Sequence, residues 1–176
     1  MSVATAEATR RADWRFLLPD PDVARVAYLP PQDPELVSAL ELSGAVVDLR
    51  GGLVASENQE LVVITTDRPP SVERATGLLR PGGWLYAEVP GWRTRVWERE
   101  LRRCGFDEIT AHWLWPSARS CSEIVPLEPA ALRHSLARRD PGARLRVRVR
   151  TAVLLSGTPL FRLALRHAAV VGRCPH

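Results

Sequence analysis

The stretch LLRPGGWLYAEV (78–89) decides how the fold of this chain is read. Before it, Val72, Ala75 and Leu78 recur at a spacing of three, which favours the apolar face of a helix that begins at Ser71. The following run, WLYAEV, has the aromatic and β-branched residues typical of a strand. Because proline cannot continue a helix and glycine readily closes one, the Pro-Gly-Gly segment is predicted to be a tight turn between helix and strand.

Strand and helix patterns alternate on both sides of this stretch. Predicted strands lie at 23–29, 45–49, 61–66, 84–89, 106–115 and 167–174, and predicted helices at 34–44, 71–79, 92–105 and 126–140. The segment RLRVRVRTAVLL (144–155) fits both a strand and a helix, and helix is favoured. Alternation with short connections is typical of a Rossmann-like, doubly wound, mostly parallel α/β sheet.

Composition predicts one globular domain. The 176 residues are 45% hydrophobic and 25% charged, enough for a real core, and we expect an N-terminal extension (1–22) whose first 12 residues are frayed, followed by a single domain (23–176). Three cysteines without CxxC spacing argue against a disulfide framework and against structural zinc. No apolar run is long enough to span a membrane and no secretory h-region follows the N-terminal charges, so a cytoplasmic protein without membrane contact is predicted.

The sequence resembles the class I S-adenosylmethionine-dependent methyltransferases. LLRPGGWLYAEV is similar to the helix, Pro-Gly-Gly turn and fifth strand of that family, and ELRRCGFDEITAHWLWP (100–116) is similar to its next helix, Gly-Phe turn and sixth strand. The segments WPSARSCSEIVPLEPAALRHSL and PLFRLALRHAAVVGR resemble the C-terminal part of some bacterial members. The likeness covers residues 61–173, so the resemblance implies a methyltransferase-like domain.

The resemblance also implies where S-adenosylmethionine would lie. In the family, a glycine-rich loop after the first strand approaches the amino-acid part of this cofactor, which here corresponds to Leu29 and Pro30. An acid ending the second strand binds the ribose, which corresponds to Asp48. Thr66 and Asp67 stand where a family loop faces the transferring methyl group. The alternatives are structural: Asp48 caps a turn, and Asp67 or Ser71 caps a helix.

Two features depart from the family. LPPQDP (29–34) stands where the glycines belong, and proline supplies neither a left-handed turn nor a backbone N–H. The 11 residues RGGLVASENQE (50–60) are too few for the helix, strand and helix that a complete family sheet needs there, since one crossover takes about a dozen residues. The N-terminal half of the sheet is therefore predicted to be reduced by one strand–helix unit.

Other side chains suggest chemistry. Glu88, in an apolar strand, needs a task or a partner, and an ion pair with an arginine is favoured over a general base. His112, His134 and Glu123 are further candidates for the base, although a lone histidine in a strand is more often structural. Cys121 has no evident histidine partner, so a reactive thiol is not favoured.

Tryptophan and arginine point to a protein partner. Five of the six tryptophans bracket one end of the predicted sheet and form either a docking patch or core: Trp84, Trp92, Trp97, Trp113 and Trp115. An arginine run, Arg144, Arg146, Arg148 and Arg150, reads as a solvated helix face or a docking surface for an acidic protein. The other basic residues are interleaved with acids and the net charge is only +4, which disfavours nucleic acid.

Two hypotheses of different class follow. In the first, the chain is a bacterial methyltransferase that acts on a small-molecule substrate through an atypical cofactor loop. In the second, it is an inactive methyltransferase-fold scaffold or accessory partner of another biosynthetic enzyme. Residues 23–60 favour the second, and residues 61–173 do not separate the two.

Overall fold

Seven strands and their connecting helices make up the part of the chain that the computed structural model describes, residues 10–20, 23–49, 58–65, 71–138 and 159–175. The strands are β1 Arg25–Leu29, β2 Val46–Asp48, β3 Gln59–Ile64, β4 Leu79–Val89, β5 Asp107–Trp115, β6 Glu123–Pro126 and β7 Ala168–Arg173. The α-helices are α1 Pro34–Leu42, α2 Ser71–Thr76, α3 Thr94–Arg103, α4 Pro129–Arg138 and α5 Pro159–Ala164, and two 3-10 helices span Arg10–Leu17 and Gly91–Arg93.

The strands form one mixed sheet in the order β2-β1-β3-β4-β7-β5-β6. Neighbours from β2 to β4 are parallel, and β7 runs antiparallel between β4 and β5. Strand β6 also pairs antiparallel with β5, so three of the six neighbouring pairs of described strands are parallel and three are antiparallel. This confirms the predicted Rossmann-like α/β sheet, which is mixed. Within the described residues, β2 is an edge strand. The predicted missing strand–helix unit concerns residues 50–60, most of which lie outside the described ranges, so the reduction of the N-terminal half stays a prediction.

Helices cover both faces of the sheet. Alternate residues of each central strand point to opposite faces, and each face has its own apolar cluster. Helix α1 and the N-terminal 3-10 helix pack on one face, whereas α2, α3, α4 and α5 pack on the other. Because the connections after β1 and β3 leave toward opposite faces, the carboxyl ends of these two strands border a topological switch point, where doubly wound proteins place their ligands.

The predicted Pro-Gly-Gly turn is a bulge inside β4. Gln59 pairs with Leu79 but Leu61 pairs with Trp84, so β4 carries extra residues between the two pairs. The bulge is held against the end of the chain: the Gly82 N–H donates to the Cys174 carbonyl at 3.2 Å, and the Cys174 N–H donates to the Gly83 carbonyl at 2.7 Å. The prediction of a reversal was wrong because these pairings extend the strand, although Gly82 does adopt a left-handed φ of 74°.

Other elements follow the prediction with shifted ends. Helix α3 ends as predicted before a left-handed Gly105 with a φ of 86°. The predicted helix 126–140 begins at Pro129, because residues 123–126 pair with β5 as the short strand β6, which was not predicted. The ambiguous segment 144–155 lies outside the described residues.

The N-terminal 3-10 helix is part of the core rather than frayed. Ala12, Trp14 and Leu18 are buried, and the Trp14 ring stacks on Tyr86 with centroids 3.6 Å apart. Arg11 is also buried, at 5% exposure. The prediction that residues 1–12 are frayed was therefore wrong for residues 11 and 12, because aromatic packing and an ion pair fix them to the sheet.

Candidate functional site

A cleft lies at the carboxyl edge of β1, β3 and β4, at the switch point. It consists of two adjoining cavities of about 440 and 360 Å³. The start of the antiparallel strand β7 and the loop after β5 close its other side. Residues that line both cavities are Pro31, Thr65, Glu88, Ala118 and His167. This is the position where an α/β protein of this topology binds a ligand.

A hydrogen-bond relay closes the loop between β1 and α1. The Asp33 N–H donates to the Tyr28 hydroxyl at 2.9 Å, and the Thr65 hydroxyl donates to the Pro31 carbonyl at 2.7 Å. Tyr28 and Thr65 lie 3.0 Å apart, oxygen to oxygen, and the Thr65 proton is already used, so Tyr28 donates to Thr65. Burial raises the pKa of Tyr28, which keeps its hydroxyl protonated for this role. The relay therefore links the carboxyl ends of β1 and β3, which border the switch point.

The other polar side chains of this loop, those of Gln32 and Asp33, form hydrogen bonds with nearby backbone groups. Gln32 Nε2 donates to the Tyr28 carbonyl at 2.9 Å and to the Leu49 carbonyl at 2.7 Å, which links the ends of β1 and β2. The Asp33 carboxylate accepts from the Glu35 N–H at 3.1 Å and caps α1. The N-terminus of α1 is therefore capped from within the chain.

An ion-pair cluster forms the wall next to this loop. Arg11 pairs through both terminal nitrogens with the Glu88 carboxylate, one of these contacts being 2.7 Å, and its Nη2 lies 3.3 Å from Asp33. The Tyr86 hydroxyl donates to Glu88 at 3.0 Å. Burial disfavours the charge on Arg11, but the bond and attraction to Glu88 outweigh it and raise the pKa of Arg11. The predicted ion pair of Glu88 with an arginine is confirmed.

The described residues do not fit S-adenosylmethionine in the way that the family resemblance implies. Leu29 is buried, and Pro30 is exposed and has no N–H to offer. The Asp33 N–H is used by Tyr28, and the three prolines of the loop have no N–H, so the loop offers fewer backbone donors than a glycine-rich cradle. Asp48 is half-buried at the end of β2, within interactions of its own, while Thr66 and Asp67 lie outside the described residues.

The other base candidates lie away from the cleft. His112 is 6% exposed on β5, and burial lowers its pKa to about 4. Exposed His134 lines a separate cavity of about 540 Å³ beside β6 and α4, together with Glu123, whose carboxylate accepts a hydrogen bond from Ser135. The structure thus brings Glu123 and His134 to one cavity, and neither His112 nor His134 joins Glu88.

Cys121 is half-buried, and its thiol donates to the Glu123 carbonyl at 3.3 Å. Burial raises the pKa of this thiol. A raised pKa lowers the thiolate fraction at neutral pH, which agrees with the expectation that Cys121 is not a reactive nucleophile.

The tryptophans divide between core and surface. Trp97 and Trp113 are buried, Trp84 is half-buried, and Trp92 and Trp115 are 47% and 43% exposed. The Arg93 guanidinium lies 4.4 Å from the centre of the Trp92 ring. A single patch of five tryptophans therefore does not form, and the arginine run 144–150 lies outside the described residues.

Within the described ranges, no group of histidine, cysteine and carboxylate side chains is placed to hold a metal ion. In the same ranges, no helix has both the length and the apolar character needed to cross a bilayer.

Removing the Tyr28 hydroxyl is expected to weaken the loop. In Tyr28→Phe, the Asp33 N–H loses its acceptor, so the free energy of unfolding should fall by about 1–3 kcal/mol in urea denaturation. Thr65→Val interrupts the same relay, and the double variant should lose less than the sum of the two single losses. Strictly additive losses would show that the two hydroxyls do not act together.

Comparisons with known proteins place the chain near methyltransferases of solved structure. No protein-family model matches the chain, and no curated protein matches it. It is similar to a SAM-dependent methyltransferase from Thermotoga maritima, with a TM-score of 0.46, 12% identity and coverage of 97% of this chain and 89% of the other. A SAM-dependent O-methyltransferase from the same organism has a TM-score of 0.49, 8% identity and coverage of 97% and 65%.

The cyclase SpnF is also similar, with a TM-score of 0.44, 11% identity and coverage of 95% of this chain and 79% of the other. Since these TM-scores and identities are low, the fold rests on the strand order and directions of the chain itself, and no activity is inferred from the matches.

Sequence reasoning missed several residues of the site, and Arg11, Tyr28 and Gln32 show why. Arg11 lies in a segment that composition marks as frayed, and Tyr28 reads as one more apolar strand residue. One signal was present, because a tyrosine within a buried run needs a partner for its hydroxyl. Their partners lie between 4 and 77 positions away in sequence, which local patterns do not identify.

Proposed function

We propose that this chain is a methyltransferase-like protein that does not use S-adenosylmethionine and serves as a binding or accessory partner of another biosynthetic enzyme. The observation that carries this proposal is the closed loop between β1 and α1, in which Tyr28, Thr65 and Gln32 use the groups that would otherwise face a cofactor. The cytoplasm stays the location predicted from the sequence.

The charges of the cleft support the same proposal. Glu88 is the carboxylate best placed to act as a base, but Arg11 occupies both of its oxygens. A carboxylate with both oxygens held in a bidentate ion pair is not free to bind a substrate group. The protein surface around exposed Trp92, with Arg93 stacked on it, supplies the kind of aromatic and arginine anchor that protein interfaces favour.

The second candidate is an active methyltransferase. One observation favours it: a cavity of about 440 Å³ lies at the carboxyl edge of the parallel strands, with Glu88 in its wall. In that case S-adenosylmethionine would supply the methyl group, and the residues holding it would be Leu29, Pro30 and Asp48, with Thr66 and Asp67 beside the substrate.

Calorimetric titration separates the two candidates. We expect S-adenosylmethionine and S-adenosylhomocysteine to give only the heat of dilution with the wild-type protein, because its prolines and the bond from Asp33 to Tyr28 leave the loop few backbone donors for their amino-acid end. Saturable binding at micromolar concentration that is lost in Asp48→Ala and kept in Asp107→Ala would overturn the proposal. Asp107 is a suitable control since it is an exposed aspartate at the opposite edge of the sheet, where β5 begins.

A further inference from the structure

Two carboxylates from separate elements converge on one planar cation in the cleft. Glu88 lies near the end of β4 and Asp33 precedes α1, 55 positions away in sequence. Glu88 presents both oxygens to the two terminal nitrogens of Arg11, and Asp33 adds a third oxygen at 3.3 Å. A bidentate fork of this kind selects a guanidinium over a point charge such as an ammonium.

The rest of the surroundings also suits a guanidinium. The Tyr86 hydroxyl donates to Glu88 and fixes the orientation of that carboxylate, while the Tyr86 ring is stacked by Trp14. Arg11 lines the 360 Å³ cavity, and its Nε, shielded from solvent, has no hydrogen-bond partner among the described atoms. An N–H donor left unpaired in such a place indicates that the site does not satisfy the guanidinium of Arg11 completely.

We propose that Glu88 and Asp33 form a recognition site for small molecules that carry a guanidinium group, and that Arg11 is the internal occupant of this site. A ligand of this class competes with Arg11 for the two carboxylates, and its remaining atoms lie in the adjoining cavities. The N-terminal 3-10 helix, which carries Arg11, then closes the cleft in the absence of ligand. This proposal goes beyond the loss of S-adenosylmethionine and does not depend on it.

Competition with a tethered group has a measurable signature. While Arg11 occupies the carboxylates, only the fraction of molecules with a vacant site binds an external cation, so the apparent affinity of the wild type is reduced by that fraction. Removing the Arg11 side chain removes this competition. The external cation then binds the variant more tightly than the wild type and stabilises its fold by mass action.

The test is chemical rescue of Arg11→Ala with methylguanidinium chloride. The quantity measured is the thermal unfolding midpoint at each concentration of the salt. We expect a saturable rise of the midpoint in Arg11→Ala, with a half-saturating concentration at least about tenfold lower than in the wild type. Methylammonium chloride should give a smaller rise, because its single nitrogen cannot form the two parallel N–H···O bonds that a guanidinium makes with the Glu88 oxygens. Sodium chloride at equal concentration controls for ionic strength, and Glu88→Gln in the Arg11→Ala background should abolish the rescue.

Three results would overturn the proposal: a rise no larger than with sodium chloride, equal half-saturation in wild type and variant, or rescue that survives Glu88→Gln. If Arg11→Ala does not fold, the same methylguanidinium titration on Arg11→Met decides, since methionine keeps the alkyl packing and removes only the charged head. The calorimetry with S-adenosylmethionine uses the wild type alone, so failure of one proposal is distinguishable from failure of the other.

Discussion

Replacing Glu88 by alanine is expected to lower the free energy of unfolding by about 3–5 kcal/mol. The variant leaves the guanidinium of Arg11, 5% exposed, without its main counter-ion and removes the acceptor of the Tyr86 hydroxyl. Asp33 remains, but at 3.3 Å and shared with Arg119 it compensates only in part. Urea denaturation of the wild type and the variant measures the difference.

The matched control is Glu73→Ala. Glu73 pairs with Arg103 at 3.0 Å, and both side chains are exposed, so this variant should change stability little. A double variant, Arg11→Met with Glu88→Leu, removes both charges together and should be less destabilised than Glu88→Ala. If Glu88→Ala is no more harmful than Glu73→Ala, the ion pair does not fix the N-terminal 3-10 helix to the sheet.

Acidification is expected to destabilise the fold through His112. Burial lowers the pKa of His112 in the folded protein to about 4, whereas in the unfolded chain it takes the ordinary value of about 6.5. Between these values the unfolded state binds a proton that the folded state does not, so stability falls as the pH falls from about 6.5 to about 4. The accumulated loss is about 3 kcal/mol, since one pKa unit corresponds to about 1.4 kcal/mol.

His112→Phe tests this pH dependence. The variant fills the same buried space without a titrating group, so the slope of unfolding free energy against pH between about 4 and 6.5 should decrease by up to one proton. The control is His134→Phe at an exposed position of α4. This variant retains His112, so the slope of its unfolding free energy against pH should equal that of the wild type. Equal slopes in the wild type and His112→Phe would contradict the assignment.

Much of the fold follows from local patterns. The continuous apolar run of β3 is buried on both faces, as expected for a central parallel strand, and Gly105 ends α3 because its left-handed conformation suits glycine. The bulge in β4 could not be predicted in this way. Its backbone pairs with Cys174, about 90 positions later, and that contact depends on β7 being inserted beside β4.

In the candidate site, too, local patterns predict some features and miss those that depend on distant contacts. Local chemistry predicts that Glu88 needs an arginine, and the family resemblance shows that prolines stand where glycines would supply donors after β1. It does not identify Arg11 as that arginine, because the pair is 77 positions apart and forms only when the 3-10 helix packs through Trp14. Likewise, the role of Tyr28 depends on Thr65 reaching the end of the neighbouring strand.

The central claim is that the loop after β1 is closed by its own hydrogen bonds and holds no S-adenosylmethionine. The most direct measurement follows the backbone amides of Gln32 and Asp33 in proton–nitrogen correlation spectra while S-adenosylhomocysteine is added. We predict that both resonances stay in place at millimolar ligand. Saturable shifts of these two amides that disappear in Asp48→Ala would contradict the claim and restore the family's cofactor site.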